Sequence, residues 1–157
     1  MHGSGSIKWN KCYGGSNSES LFGISLFGNN YSRISIKLCA DSGYVFSTGT
    51  ASIDGDVIGH HGAAGSILIG TTSYTNYDFW VVKLDTLGTI KWQKTLGGDS
   101  YDNLRSIKLM DSGDFILGGD SWSNLSGEKA EGVIGITGYS GIESFIFCSK
   151  AFLQNPR

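Results

Sequence analysis

The sequence has little proline, little net charge and few cysteines. Its one proline, Pro156, stands against 24 glycines in 157 residues. Chain reversals are therefore left to glycine and to short polar residues. Alanine, glutamate and glutamine are scarce, while serine, threonine, valine, isoleucine and aromatics are plentiful. That composition disfavours helices and favours strands. Net charge is −2 and the sequence pI about 5.8. No basic field exists to draw in nucleic acid or anionic lipid, so neither is an expected partner. No apolar run approaches the length of a membrane span. The start, MHGSGSIKW, has no charged region followed by an apolar core, so no signal peptide is visible. A strand pattern begins almost at once, which points to a mature or truncated start. Cys12, Cys39 and Cys148 are odd in number, far apart and without a CxxC. They read as small core hydrophobes rather than a disulfide framework.

Catalytic signatures are also missing. There is no GxSxG, no Cys–His arrangement and no base placed by motif. Ten aspartates and four glutamates are spread over turns. A glycosidase dyad could assemble from any pair in space, but no spacing predicts one.

What is present is self-similarity. SIKWNKCYGG at 6–15 returns as TIKWQKTLGG at 89–98. SIKL at 35–38 returns at 106–109, and DSGYVFSTG at 41–49 returns as DSGDFILGG at 111–119. GSILIGTTS at 65–73 resembles GVIGITGYS at 132–140, and YDFWVV at 77–82 has an echo in ESFIFC at 143–148. The expected organisation is one all-β domain over 1–157, made of two diverged repeats, about 6–88 and 89–150.

Short apolar segments that alternate predict strands with one buried face. Ile34, Ile36 and Leu38 would share a side, and Ile90, Trp92 and Lys94 would oppose Lys91, Gln93 and Thr95. DSG at 41–43 and 111–113 predicts tight hairpins, and DTLG at 85–88 predicts a turn. About ten antiparallel strands and no helix are expected. The first repeat carries a 12-residue excess, residues 16–34 against 99–105.

These stretches resemble repeats of large secreted and cell-surface proteins of Bacteroidetes, many exported by type IX secretion. Those repeats run WQKxLGG, SI, DGGYIVAGxT, a loop such as SNDGDVSGNHG or SNxSGDKTEN, then DYWVVKLDxxGxIxWQK. The matching stretches here are residues 77–119, TASIDGDVIGHHG at 50–62 and SNLSGEKAEG at 123–132. The resemblance implies propeller-like blades and extracellular recognition or scaffolding without catalysis. It also implies a secreted or cell-surface location, although no sorting domain is present in this sequence. Residues 16–31 depart from the pattern, as do GSILIGTTSYTN at 65–76 and the final ESFIFCSK. Ten strands would give about two and a half blades, an open or incomplete arc that could self-associate through its strand edges. A small β-sandwich is the alternative architecture.

Candidate site residues lie in the loops where the two copies differ. Asp54 and Asp56 in IDGDVIGHHG place two carboxylates near glycines, a partial calcium-loop pattern without a third acid or a distal glutamate. Calcium is the candidate ion, and the competing reading is a polar turn whose carboxylates bond local amides. His60 and His61 are adjacent, so in an extended stretch they point apart and do not suit one zinc ion. His60 remains a candidate ligand contact. Trp122 and Asn124 sit in the second loop, and Trp122 could stack on a sugar or anchor a protein. The competing reading for Trp122 is packing beneath its loop. Trp9, Trp80 and Trp92 read as frame.

The leading functional expectation is therefore a non-catalytic extracellular module that binds protein or glycan through its inter-strand loops. The alternatives are a carbohydrate-active hydrolase on a propeller scaffold, or a purely structural segment of a longer surface protein.

Overall fold

The computed structural model describes residues 5–20, 35–69, 71–110 and 114–128. Nine strands form among them: β1 (Glu19–Ser20), β2 (Ser35–Leu38), β3 (Tyr44–Thr50), β4 (Ser66–Ile69), β5 (Thr72–Thr75), β6 (Asp78–Leu84), β7 (Ile90–Leu96), β8 (Asp102–Leu109) and β9 (Phe115–Ser121). No helix occurs among the described residues. Every pairing is antiparallel. One sheet runs β1-β3-β6-β7 with β2 also on β3, and β4–β5 and β8–β9 form two smaller sheets. None of the three closes on itself. The echoes at 132–140 and 143–148, Cys148, and the DSG at 111–113 lie outside the described residues.

The central strand is β6, and its sequence explains its place. All seven residues of DFWVVKL are buried. A strand covered on both faces reads as a continuous apolar run rather than an alternation. Phe79 and Val81 point into one core with Val45, Leu96, Leu104, Ile107, Phe115 and Leu117. That core is the interface between the large sheet and β8–β9. Trp80, Val82 and Leu84 point the other way, against Val57, Trp9, Tyr13, Tyr44, Phe46 and Ile90. Two buried polar residues interrupt the strand: Asp78 at its start, and Lys83, whose Nζ lies 2.6 Å from Asp41 Oδ1.

The turns follow their sequence signals. At 39–43, Cys39 N–H donates to Gly43 O, Ser42 takes φ 62°, and Asp41 Oδ1 accepts from Gly43 N–H. The second hairpin closes with Met110 N–H on Asp114 O. Both loops join strands in one register: Leu38 faces Tyr44, and Leu109 faces Phe115. In DTLG, Asp85 Oδ1 accepts from Leu87 N–H and Thr89 N–H.

Three expectations are corrected. SIKWNKCYGG at 6–15 forms no strand, whereas its partner stretch forms β7. β7 has β6 to pair with. The first stretch instead lies over the β6–β7 turn, with Trp9 Nε1 donating to Thr86 O and Tyr13 Oη to Gly88 O. Second, Ile36 and Leu38 are 58% and 65% exposed rather than buried. The Trp9 and Tyr13 rings pack on Tyr44 and Phe46 of β3, and among the described residues β2 pairs with β3 alone. Third, Ile90 and Trp92 do not share a face. The register shifts at Lys83/Leu84, so that Lys83 faces Trp92 while Leu84 faces Ile90. An extra residue on one strand of a ladder turns the following side chains over. Trp92 therefore packs on Phe115 while Ile90 packs with Trp80's cluster.

The excess in the first repeat also finds its place. Glu19 pairs Thr50 and Ser20 pairs Gly49, as Asp102 pairs Ser121 and Asn103 pairs Asp120. Ser35 pairs Ser47, as Ser106 pairs Gly118. Strands β1 and β2 together thus occupy the place of the single strand β8. Ser20 and Ser35 flank the point that corresponds to the register shift of β8, between Leu104 and Ser106. A bulge is already an interruption of pairing, so an insertion there disturbs few ladder bonds.

Candidate functional site

The two glycine pairs are held by the loops in which ligand residues were sought. Gly15 N–H donates to Glu19 Oε1, and Gly98 N–H donates to Asp102 Oδ2. Ser16 N–H donates to Asp54 Oδ1 at 2.7 Å, and Asp99 N–H donates to Ser126 Oγ at 2.9 Å. Asn17 N–H donates to Ser52 Oγ, and Ser100 N–H donates to Ser123 Oγ. Asp56 N–H donates to Gly14 O, and Glu128 N–H donates to Gly97 O. Gly55 and Gly127 take φ 66° and 58°, and a Cβ on either would strike the carbonyl of Gly14 or Gly97. Each loop therefore folds onto its GG turn with a glycine at the closest approach. These bonds match Ser52 with Ser123, so the residue in the place of Trp122 is Ala51.

The first loop is also hung from β7. Gln93 Oε1 accepts from the buried Trp80 indole N–H at 2.7 Å and from Ile58 N–H at 3.1 Å. Its Nε2 donates to Asp56 O. Thr95 Oγ1 donates to Ile58 O. The glutamine of WQK thus ties strand, core tryptophan and loop together.

Beyond Gly59 the loop reaches a polar cluster at the ends of β6 and β7. His61 Nδ1 lies 2.7 Å from Asp78 Oδ2, which also accepts from His61 N–H. His61 Nε2 lies 3.3 Å from Glu128 Oε2, and Glu128 Oε1 lies 2.6 Å from Lys94 Nζ. His60 Nε2 is 3.1 Å from Asn76 O. Asn76 Nδ2 donates to His61 O and Ala63 O. The Asp78 carboxyl is fully buried, and burial pushes it up to about 6 against the bonds and charges of His61 and His60. Asp78 Oδ1, Asn76 Oδ1 and His60 Nδ1 are buried without a hydrogen-bond partner.

An aromatic group stands beside this cluster. Trp122 packs at 4.9 Å on both Tyr74, edge-on, and Tyr101, tilted. Tyr101 also meets Tyr77 at 6.2 Å, and Tyr77 Oη donates to Ser18 Oγ. Trp122, Tyr74 and Tyr101 are half-buried. Burial raises the Tyr101 phenol above its ordinary range.

The structure gathers the sequence candidates at one end of the sheets. Trp122 is fixed by two tyrosines and retains an accessible margin. Asn124 is exposed, its carbonyl accepting from Ser126 Oγ. His60 is half-buried against Asn76. Asp54 and Asp56 do not converge on a common point in any bond observed: Asp54 Oδ1 takes Ser16 N–H, and Asp56 Oδ2 takes Gly14 N–H at 3.2 Å. The Ser16 N–H holds the Asp54 carboxyl below its usual range. Among the described residues no three His, Cys, Asp or Glu side chains are grouped to hold a metal ion. Cys12 is exposed and Cys39 half-buried, both as free thiols. No described helix is long and apolar enough to cross a membrane.

Gln93, Asp78, Glu128 and the serines at 52, 123 and 126 were not singled out by sequence reasoning, and His61 was weighed only as a zinc ligand beside His60. The shared serine of TAS and SWS, three residues before the loop glycine in one copy and four in the other, was the available signal. Comparison with protein-family models, with curated proteins and with solved structures finds no match in any of the three.

Proposed function

We propose that this chain is a non-catalytic extracellular repeat module that recognises a protein or a glycan at a cell surface through its inter-strand loops. The observation that carries the reading is the paired fastening of the two GG turns. Loops of different sequence, 52–56 and 123–128, make corresponding bonds to 14–17 and 97–100. Residues committed to such bonds are framework. What differs between the loops is then free to serve recognition: Trp122 replaces Ala51, and Asn124 is exposed in the longer loop. The interrupted strand β1/β2 with β3, β6 and β7 has the antiparallel order of a four-stranded blade, and β8–β9 would begin the next. Among the described residues no strand pairs with the outer edge of β7, an edge suited to strand-to-strand self-association.

The test is binding of the whole chain to arrays of surface glycans and to cell-surface protein extracts, with turnover of glycosides measured in parallel. The reading predicts binding without turnover. Binding should be lost in Trp122→Ala and weakened in Asn124→Ala and His60→Ala. Glycoside turnover abolished by Asp78→Asn would overturn it in favour of a hydrolase.

A further inference from the structure

His61 sits between two carboxylates from different parts of the chain. Its Nδ1 is 2.7 Å from Asp78 Oδ2 on β6, and its Nε2 is 3.3 Å from Glu128 Oε2 in the loop after β9. A neutral imidazole has one N–H and one bare nitrogen. With its proton on Nδ1, it serves Asp78 but turns a lone pair toward Glu128. With both nitrogens protonated, it donates to an oxygen of each side chain, Asp78 and Glu128. Histidine is the side chain that ordinarily changes charge between pH 5 and 8.

We infer that His61 is a proton-dependent tie between the loop at 53–62 and the loop at 123–128, closed when Nε2 carries a proton and slack when it does not. The location gives the tie leverage. Residues 52–56 hold the first GG turn and 123–128 hold the second, so the tie joins the two clamps. The backbone of each loop is fastened by other bonds, which leaves the His61–Glu128 contact as an adjustable link. Gly127 lies close enough that a Cβ there would meet His61 Cδ2 at 3.0 Å, so the imidazole is confined. The charged and titratable groups around it are His60 beside it, Asp78 on β6, Lys94 on β7, Asp99 and Asp102 after β7, and Glu128. Lys94 Nζ, 2.6 Å from Glu128 Oε1, holds that side chain with its Oε2 facing the ring. The inference holds whether or not these loops bind a ligand.

The experiment compares thermal midpoints of the wild type and Glu128→Gln at pH 5.5 and pH 8, with the full chain. A glutamine amide can donate to the bare Nε2, so the variant tightens the link at high pH. At low pH the variant loses the carboxylate that the doubly protonated ring favours. The midpoint of the variant relative to wild type should therefore rise by roughly 2–6 °C between pH 5.5 and pH 8. Loss of the Lys94 ion pair is the same at both pH values and cancels in that comparison. Repeating the pair in a His61→Gln background should abolish the pH effect. The inference is overturned if the difference between wild type and Glu128→Gln is the same at both pH values, or if it persists without His61. If His61→Gln fails to fold, nitrogen-15 shifts of the His61 ring decide. Nε2 must carry a proton at pH 5.5 and be bare at pH 8, and a proton on Nε2 at both refutes the tie.

Discussion

Replacing Gln93 by leucine removes the bonds that tie the core tryptophan and the first loop to β7. Leucine nearly conserves volume but offers no acceptor. The Trp80 indole is fully buried, so its N–H cannot turn to water once Gln93 Oε1 is gone. An unsatisfied buried donor costs about 1–3 kcal/mol. Ile58 N–H lies at an exposed residue and can find solvent, so its loss adds little. The expected effect is a loss of about 1–3 kcal/mol, dominated by one N–H. For a chain of this size each kcal/mol lowers the thermal midpoint by roughly 2–4 °C. The assay is urea unfolding of wild type, Gln93→Leu, Trp80→Phe and the double variant. Trp80→Phe removes the donor and has its own packing cost, which cancels in the cycle. Gln93→Leu should cost clearly less in the Trp80→Phe background. Equal costs in both backgrounds would refute the assignment of Gln93 as the partner that the buried indole requires.

Other predictions follow from the charges. Lys83 is buried and held by the more exposed Asp41, so Asp41→Ala should cost about 1–2 kcal/mol by leaving an ammonium without its partner. Lys83→Met should cost less, and adding Asp41→Ala to it should change little, as read by denaturant midpoints. Asp41 has its carboxyl lowered chiefly by Lys83, and Asp85 chiefly by Thr89 N–H. Their stabilisation is present above the unfolded carboxylate range and is lost as pH falls through their lowered values. Asp78 has the opposite sign: its contribution is present below the unfolded value of 3.8 and is lost as pH rises through about 6. Asp78→Asn should therefore flatten the fall in thermal midpoint between pH 4 and 6, and an unchanged profile would refute the assignment. With Asp54 and Asp56 each bonded to a backbone amide, millimolar calcium should leave the midpoint unmoved, whereas a rise reversed by chelator would restore the calcium reading.

Local chemistry was the legible part of the fold. The Asp85 turn and the DSG hairpin at 41–43 follow from side chains that bond their own backbone, and β6 follows from the apolar run at 79–82. The bulge at Lys83/Leu84 was not legible, because it depends on the pairing of two strands and leaves no mark in either alone. The site divides in the same way. Asp54 and Asp56 were visible as paired carboxylates, yet which atoms they meet is set by a glycine pair far away in the chain. The His61–Asp78 contact required a loop to return to the start of β6. Trp122 stood out by its type, but its tyrosine neighbours come from β5 and from the turn before β8.

The account rests on two loops performing one structural task, and amide exchange at the two turns tests it most directly. Asp54→Ala should speed exchange of Ser16 N–H about fivefold or more and leave Asp99 N–H unchanged. Ser126→Ala should do the reverse. If neither substitution alters its own turn, or if both accelerate exchange throughout the sheets alike, the loops do not clamp the glycine pairs.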